Sequence, residues 1–110
     1  MIESPEGVKN VDGIASTKGV DGLWVGYADL SAAMGLAGQY QDQRFSDAMR
    51  SVIDASRAHG ISAAIQPGDM QQLQEWLAVG FNVISYGADC YLYRDALTQA
   101  VNEVRSAVGR

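Results

Sequence analysis

Residues 22–29 read Gly-Leu-Trp-Val-Gly-Tyr-Ala-Asp, a short apolar run enclosed by two glycines and followed by a carboxylate. Three consecutive apolar residues between Gly22 and Gly26 are typical of a strand that is buried on both faces of a parallel sheet. A short helical segment, residues 30–34, comes next. The pattern therefore predicts a strand, a loop that carries Asp29, and a helix.

The same order of elements repeats along the chain. Apolar runs at residues 61–65 and 81–85 predict two more buried strands, and residues 1–3 are interpreted as the end of a further strand. Gly60 and Gly80 each precede one of these runs, as glycines that terminate helices do, and we interpret Gly22 in the same way. Strands that alternate with helices indicate a parallel sheet with outer helices.

Apolar residues at helical spacing predict the helices of these units. The predicted helices cover residues 5–16, residues 45–59, a segment from Met70 to Gly80, and residues 90–107. The first helix is expected to have Ser4 as its N-cap and to begin at the following proline. No linker interrupts the chain, so residues 1–110 are expected to form a single α/β domain of about four βα units.

Two architectures satisfy this pattern. Each predicted strand is too apolar to be exposed, so the sheet has to be covered, paired or closed. The chain is therefore either a small open α/β sandwich or one half of a (β/α)8 barrel. The second architecture is favoured because polar residues collect where the predicted strands end, which is where such barrels carry their functional groups.

Composition excludes several classes of function. The chain has 110 residues, with 8 Lys and Arg against 13 Asp and Glu, which gives a net charge of −5. An acidic chain of this kind is a poor ligand for a nucleic-acid backbone or an anionic membrane. The single cysteine excludes an intrachain disulfide, and no apolar run is long enough to span a bilayer. We therefore expect a soluble, cytoplasmic protein.

Carboxylates follow three of the predicted strands. Glu3, Asp29 and Asp89 come at the ends of the first, second and fourth strands, and Asp69 follows the third strand after a Gln-Pro-Gly sequence. Glu3 and Asp29 on neighbouring strands would share one rim, and two such oxygen ligands suit Mg²⁺, Mn²⁺ or Co²⁺. The backbone N–H groups of Ala28 and Asp29 would lie beside that ion and could hold a substrate carboxylate. The alternatives are that the aspartates are plain N-caps and that Glu3 is a frayed terminal residue.

The remaining candidate residues have simpler interpretations. His59 lies at a predicted helix end, where an imidazole interacts favourably with the helix dipole. Cys90 is expected to pack in the core, as are Trp24 and Trp76. A group of tyrosines near the fourth strand end could belong either to the core or to a pocket wall: Tyr86, Tyr91 and Tyr93.

Three segments of the chain resemble the HpcH/HpaI aldolase/citrate lyase family. They are Met-Ile-Glu-Ser-Pro-Glu-Gly-Val at residues 1–8, the Gly-Tyr-Ala-Asp-Leu-Ser loop within residues 19–35, and Gly-Phe-Asn-Val-Ile-Ser-Tyr-Gly-Ala-Asp at residues 80–89. The resemblance implies a (β/α)8 barrel of which this chain is the C-terminal half, strands five to eight. It also implies that Glu3 and Asp29 bind the metal.

The same resemblance implies a function. Members of the family are divalent-metal-dependent class II aldolases that cleave 4-hydroxy-2-oxo acids to pyruvate and an aldehyde through a metal-stabilised enolate. Gly26, Ala28 and Asp29 correspond to the residues that bind the substrate, whereas Tyr27 replaces a proline-type residue of the family. The catalytic arginine and histidine belong to the other half of the barrel, so the isolated chain is expected to be inactive.

Alternatives to this function remain open. The chain could belong to a CoA-thioester lyase of the citrate lyase β or malyl-CoA lyase type. It could also be a catalytically silent half-barrel that self-associates to cover its two open edges. Members of the family are oligomers, and the resemblance implies that the helix over residues 90–107 is exchanged between the subunits of a homo-oligomer.

Overall fold

A computed structural model describes residues 1–109 of the chain. Six helices and three strands alternate along it, with two helices between some strands. In chain order the elements are α1 (Pro5–Lys9), α2 (Val11–Ala15), β1 (Gly22–Val25), α3 (Tyr27–Ala33), α4 (Gln43–Ala58), β2 (Ser62–Ile65), α5 (Met70–Val79), β3 (Val83–Ile84) and α6 (Asp89–Ala107).

The three strands form one parallel sheet in the order β1-β2-β3. Gly22 pairs with Ser62 at the start of β1, and Ile65 of β2 pairs with Ile84 of β3. The strand predicted at residues 1–3 is present as a single parallel bridge between Ile2 and Val25. The α/β class and the parallel arrangement predicted from the sequence are confirmed.

The core lies between the sheet and α4. Phe45, Val52 and Ile53 of α4 are buried against Val25 and Ile65 of the central strands. Full burial of side chains of this size is worth about 1.5–3 kcal/mol each, so this layer contributes several kcal/mol to the stability of the fold.

Helix starts follow the capping residues in the sequence. The Ser4 hydroxyl accepts a hydrogen bond from the Gly7 amide, and Pro5 is the first residue of α1, as predicted. The Asp69 carboxylate accepts a hydrogen bond from the Gln72 amide at 2.8 Å and so caps α5. Asp69 is therefore the plain N-cap that the sequence allowed.

Three boundaries differ from the prediction. The single helix expected over residues 5–16 is divided at Asn10, whose backbone angles of φ −98° and ψ 10° depart from α-helical values. Gly22 lies within β1 instead of terminating a helix, and the left-handed turn before the strand falls at Gly19. The strand predicted at residues 81–85 is reduced to two residues, because only β2 pairs with it.

The last helix, α6, has no buried residue although it is 19 residues long. It contributes to the elongated shape of the molecule, which measures 59 × 29 × 22 Å. Several large apolar side chains of this region are exposed: Tyr91, Leu92, Tyr93, Leu97, Val101, Val104 and Val108.

Within the described residues, no helix is both long and apolar enough to cross a membrane.

Candidate functional site

A cleft of about 570 Å³ opens where the strands end. Parallel strands bring their carboxyl ends to one edge of a sheet, and the residues that follow them therefore share this cleft. The lining residues include Met1, Glu3, Trp24, Gly26, Tyr27, Ala28, Asp29, Gln66, Gly68, Tyr86, Tyr91, Leu92, Arg94 and Asp95. The structure thus brings together all four residues predicted as metal or substrate ligands.

Glu3 lies directly over Gly26. A Cβ atom built on Gly26 would stand 2.5 Å from the Glu3 Oε1 atom and 2.6 Å from its Cγ atom. Any side chain at position 26 would therefore displace the carboxylate. The backbone of Gly26 has φ −85°, so glycine is required here for its small size and not for its conformational freedom.

Asp29 occupies the first turn of α3 without capping it. The N-cap is Gly26, and no side chain closes this helix end. The amides of Ala28 and Asp29 consequently have no acceptor within the helix, and they lie at the end that carries a partial positive charge. The interpretation of Asp29 as an N-cap is wrong, because the residue lies three positions too far along the chain.

The two carboxylates of the cleft are free of protein partners. Among residues 1–109, neither Glu3 nor Asp29 takes part in an ion pair, and both side chains are exposed. The sequence suggested that Glu3 would be buried in its strand, but the pairing of that strand stops at Ile2. Among residues 1–109, no cluster of three or more His, Cys, Asp or Glu side chains could enclose a metal.

Tyr27 forms the wall of the cleft beside these residues. Its ring makes edge contacts with Trp76 at 4.6 Å and with Tyr40 at 5.1 Å between centroids. Burial raises the pKa of the Tyr27 phenol above 10.0, and the nearby ionisable groups Tyr40, Asp69 and Tyr91 raise it further. Tyr27 is consequently a neutral hydrogen-bond donor at physiological pH.

The locations of two aromatic residues, Trp24 and Tyr93, differ from expectation. Trp24 was predicted to be core, but it is half-buried and lines the cleft, whereas Trp76 is buried as predicted. Tyr86 and Tyr91 also line the cleft, while Tyr93 is exposed on α6. Side chains of a strand point alternately to its two faces, so Trp24 lies on the face opposite Leu23 and Val25. This alternation could have identified Trp24 as a residue outside the core.

The remaining candidates lie outside the site or have simple structural roles. Cys90 is exposed, so its prediction as a packed core residue is wrong; it follows Asp89 in the solvent-exposed first turn of α6. Asp89 accepts a hydrogen bond from the Cys90 amide at 2.7 Å. His59 ends α4, as predicted, and its Nε2 atom lies 2.8 Å from a carboxylate oxygen of Asp12.

The chain is similar in sequence to two aldolases. It is 37% identical over 96 residues to a 5-keto-4-deoxy-D-glucarate aldolase of Shigella dysenteriae, with 87% of this chain and 38% of the relative covered. It is 38% identical over 106 residues to a hydroxypyruvate/pyruvate aldolase of Paraburkholderia phytofirmans, with 96% of this chain and 41% of the relative covered.

A crystal structure of a family protein from Burkholderia cenocepacia J2315 superimposes with a TM-score of 0.85 at 36% identity. The match covers 94% of this chain and 40% of that one. The chain therefore has the α/β fold of a TIM-barrel protein but spans only about two fifths of the length of the relatives it matches.

The chain is therefore a protein of the parallel βα class, with free carboxylates at the ends of its strands. The model of the HpcH/HpaI aldolase/citrate lyase family matches residues 1–96. The chain belongs to that family, and the resemblance drawn from the sequence is confirmed.

The environment of Tyr27 leads to a prediction about alkaline pH. Below pH 10 the phenol is neutral in both the folded and the unfolded chain, and its burial does not change stability with pH. Above pH 10.0, the ordinary pKa, the unfolded chain ionises first, so the free energy of unfolding falls until the pH passes the raised pKa of the folded state.

We expect Tyr27→Phe to remove this part of the alkaline loss of stability. Urea unfolding at a series of alkaline pH values, together with the ultraviolet titration of the phenols, measures the effect. Tyr93→Phe is the control, since Tyr93 is 72% exposed. Equal alkaline slopes in the two variants would show that the Tyr27 phenol ionises normally.

Proposed function

We propose that this chain forms the metal-binding part of a class II aldolase that cleaves 4-hydroxy-2-oxo acids to pyruvate and an aldehyde. The observation that carries the proposal is the convergence of Glu3, Gly26 and Asp29 in one cleft at the ends of neighbouring strands. The two relatives named above support it, because both are named as aldolases. The family model matches residues 1–96, a range that contains all three residues.

The residues present fit a divalent cation. Glu3 and Asp29 supply carboxylate oxygens, the ligands that Mg²⁺ and Mn²⁺ prefer, and no protein cation neutralises either of them among the residues described. Two protein ligands leave coordination positions for water and for a chelating substrate. The absence of a side chain at Gly26 lets the Glu3 carboxylate lie against the backbone beside Asp29.

The same backbone would orient the substrate. The amides of Ala28 and Asp29 have no acceptor within α3, and we assign them to the carboxylate of the 2-oxo acid. A divalent ion held by Glu3 and Asp29 would supply Lewis-acid polarisation of the 2-oxo group during cleavage of the C3–C4 bond.

Proton transfer requires a group that this part of the barrel does not supply. Neither histidine nor lysine is among the described residues that line the cleft, and its arginine, Arg94, is paired with Asp95 at 2.7 Å. We therefore place the general base in the remaining βα units of the barrel, and we expect the 110-residue chain alone to be inactive. A thioester lyase has less support, since no cationic cluster for a CoA phosphate borders the cleft.

The role of Asp29 is tested in the barrel that contains this chain together with its remaining βα units. We expect Asp29→Asn to reduce metal-dependent pyruvate release to the background rate, because one of two carboxylate ligands is lost. The measurement is a coupled assay of pyruvate with and without added Mg²⁺ or Mn²⁺. Asp54→Asn on the exposed face of α4 is the matched control. Pyruvate release by the Asp29 variant at the control rate would reject the proposed function.

The role of Gly26 is tested by metal binding alone. Gly26→Ala should lower Mn²⁺ affinity about 10- to 100-fold, since the new methyl group displaces the Glu3 carboxylate while leaving the fold intact. Isothermal titration calorimetry measures the affinity, and circular dichroism checks the fold. Gly13→Ala is the control, because nothing lies within 4 Å of a Cβ atom at that position. Unchanged Mn²⁺ affinity in the Gly26 variant would remove Glu3 from the metal site.

We further propose that α6 joins subunits of a homo-oligomer. Residues of α6 and its C-terminal end form an exposed apolar stripe, and the opposite face of the helix is polar. The stripe consists of Tyr93, Leu97, Val101, Val104 and Val108. A helix with an apolar face and no buried residue gains stability when that face packs against another surface.

This assembly is tested by the molar mass in solution. Leu97→Asp places a charge in the apolar stripe and should dissociate the oligomer to monomers. Asn102→Asp adds the same charge on the polar face and should leave assembly unchanged. Size-exclusion chromatography with light scattering measures both. The same molar mass for both variants would exclude the α6 stripe from the interface.

A further inference from the structure

We propose that the Tyr27 hydroxyl is a specificity-determining group, which recognises a hydroxyl group on the aldehyde half of the substrate. The inference rests on the proposed aldolase function and adds the class of aldehyde. Tyr27 immediately precedes Ala28 and Asp29, so its ring stands beside the position assigned to the oxo acid.

The phenol is held in a fixed position. Edge contacts with Trp76 on one side and Tyr40 on the other restrain the ring, and Tyr40 in turn packs against the buried Phe45 at 5.5 Å. A ring restrained by two aromatic neighbours presents its hydroxyl with little loss of conformational entropy on binding. The position of the Tyr27 oxygen is therefore set before any ligand enters.

Within residues 1–109 the Tyr27 hydroxyl has no hydrogen-bond partner, and there is space beside it. It lies 3.2 Å from the place where a Cβ atom at Gly68 would stand, and Gly68 also lines the cleft. Position 68 has no side chain, and the Gly68 amide is already bonded to the Gln72 side chain at 2.9 Å. Among the described residues none hydrogen bonds to the Tyr27 oxygen, which leaves this donor available to a ligand.

The chemistry of the neighbouring walls limits what that ligand is. The Tyr27 hydroxyl lies beside Gly68 in the loop after β2, whereas the oxo acid is assigned to the amides of Ala28 and Asp29 after β1. We therefore assign the part of the substrate beyond the oxo acid to this hydroxyl. A phenol both donates to and accepts from an alcohol. Aromatic and apolar side chains line part of the cleft, among them Trp24, Tyr86, Tyr91 and Leu92, which suits a short carbon chain that carries hydroxyl groups.

The test compares two aldehydes of three carbons, glyceraldehyde and propionaldehyde, as acceptors for pyruvate in the complete barrel. Wild-type enzyme should prefer glyceraldehyde in kcat/KM, and Tyr27→Phe should reduce that preference about tenfold, because one hydrogen bond to the substrate is lost. Tyr40→Phe is the matched control. It removes the same atom from the adjacent ring, outside the cleft, and should leave the preference at the wild-type value.

The outcomes separate this inference from the proposed function. If Tyr27→Phe leaves the ratio of the two kcat/KM values unchanged, or lowers both values equally, the hydroxyl does not select the aldehyde while the aldolase function stands. If wild-type enzyme forms no aldol product with either aldehyde, the proposed function fails and this inference fails with it. Retention of the aromatic ring in Tyr27→Phe preserves the contacts with Trp76 and Tyr40, so loss of folding does not account for a selective effect.

Discussion

The parallel register around β1 is the constraint on which the rest of the structure depends. Ile2 pairs with Val25 on one side of the strand, and Val25 pairs with Ile65 on the other. Because parallel strands end at the same edge, this register places the residues after each strand next to one another. A shift of one residue would turn Leu23 and Val25 out of the core and would separate Glu3 from Gly26.

Much of this arrangement could be predicted from the sequence, for physical reasons that act locally. The apolar run before Gly26 predicted β1, and Ser4 followed by Pro5 predicted the start of α1. The family resemblance predicted which residues bind metal and substrate; the structure brings these residues into one cleft, and their roles stay a prediction. The predictions of β1 and α1 succeeded because burial of a strand and capping at a helix end leave signals within a few residues.

Other features depend on contacts that no short segment contains. The break at Asn10 interrupts a continuous apolar stripe at a residue whose backbone angles depart from helical values, which the spacing of apolar residues does not show. Cys90 and Trp24 are apolar enough for a core, but their exposure is decided by where α6 and β1 lie in the fold. The close approach of Glu3 to Gly26 likewise joins residues distant in sequence, so spacing alone could not reveal it.

The row of aromatic rings from Phe45 through Tyr40 to Tyr27 connects the hydrophobic core with the wall of the cleft. Close packing transmits changes of volume, so a change in the volume of Phe45 would move Tyr40 and then Tyr27. A mutation in the core that alters stability is therefore expected to alter the wall of the cleft as well, so that the two properties are inherited together.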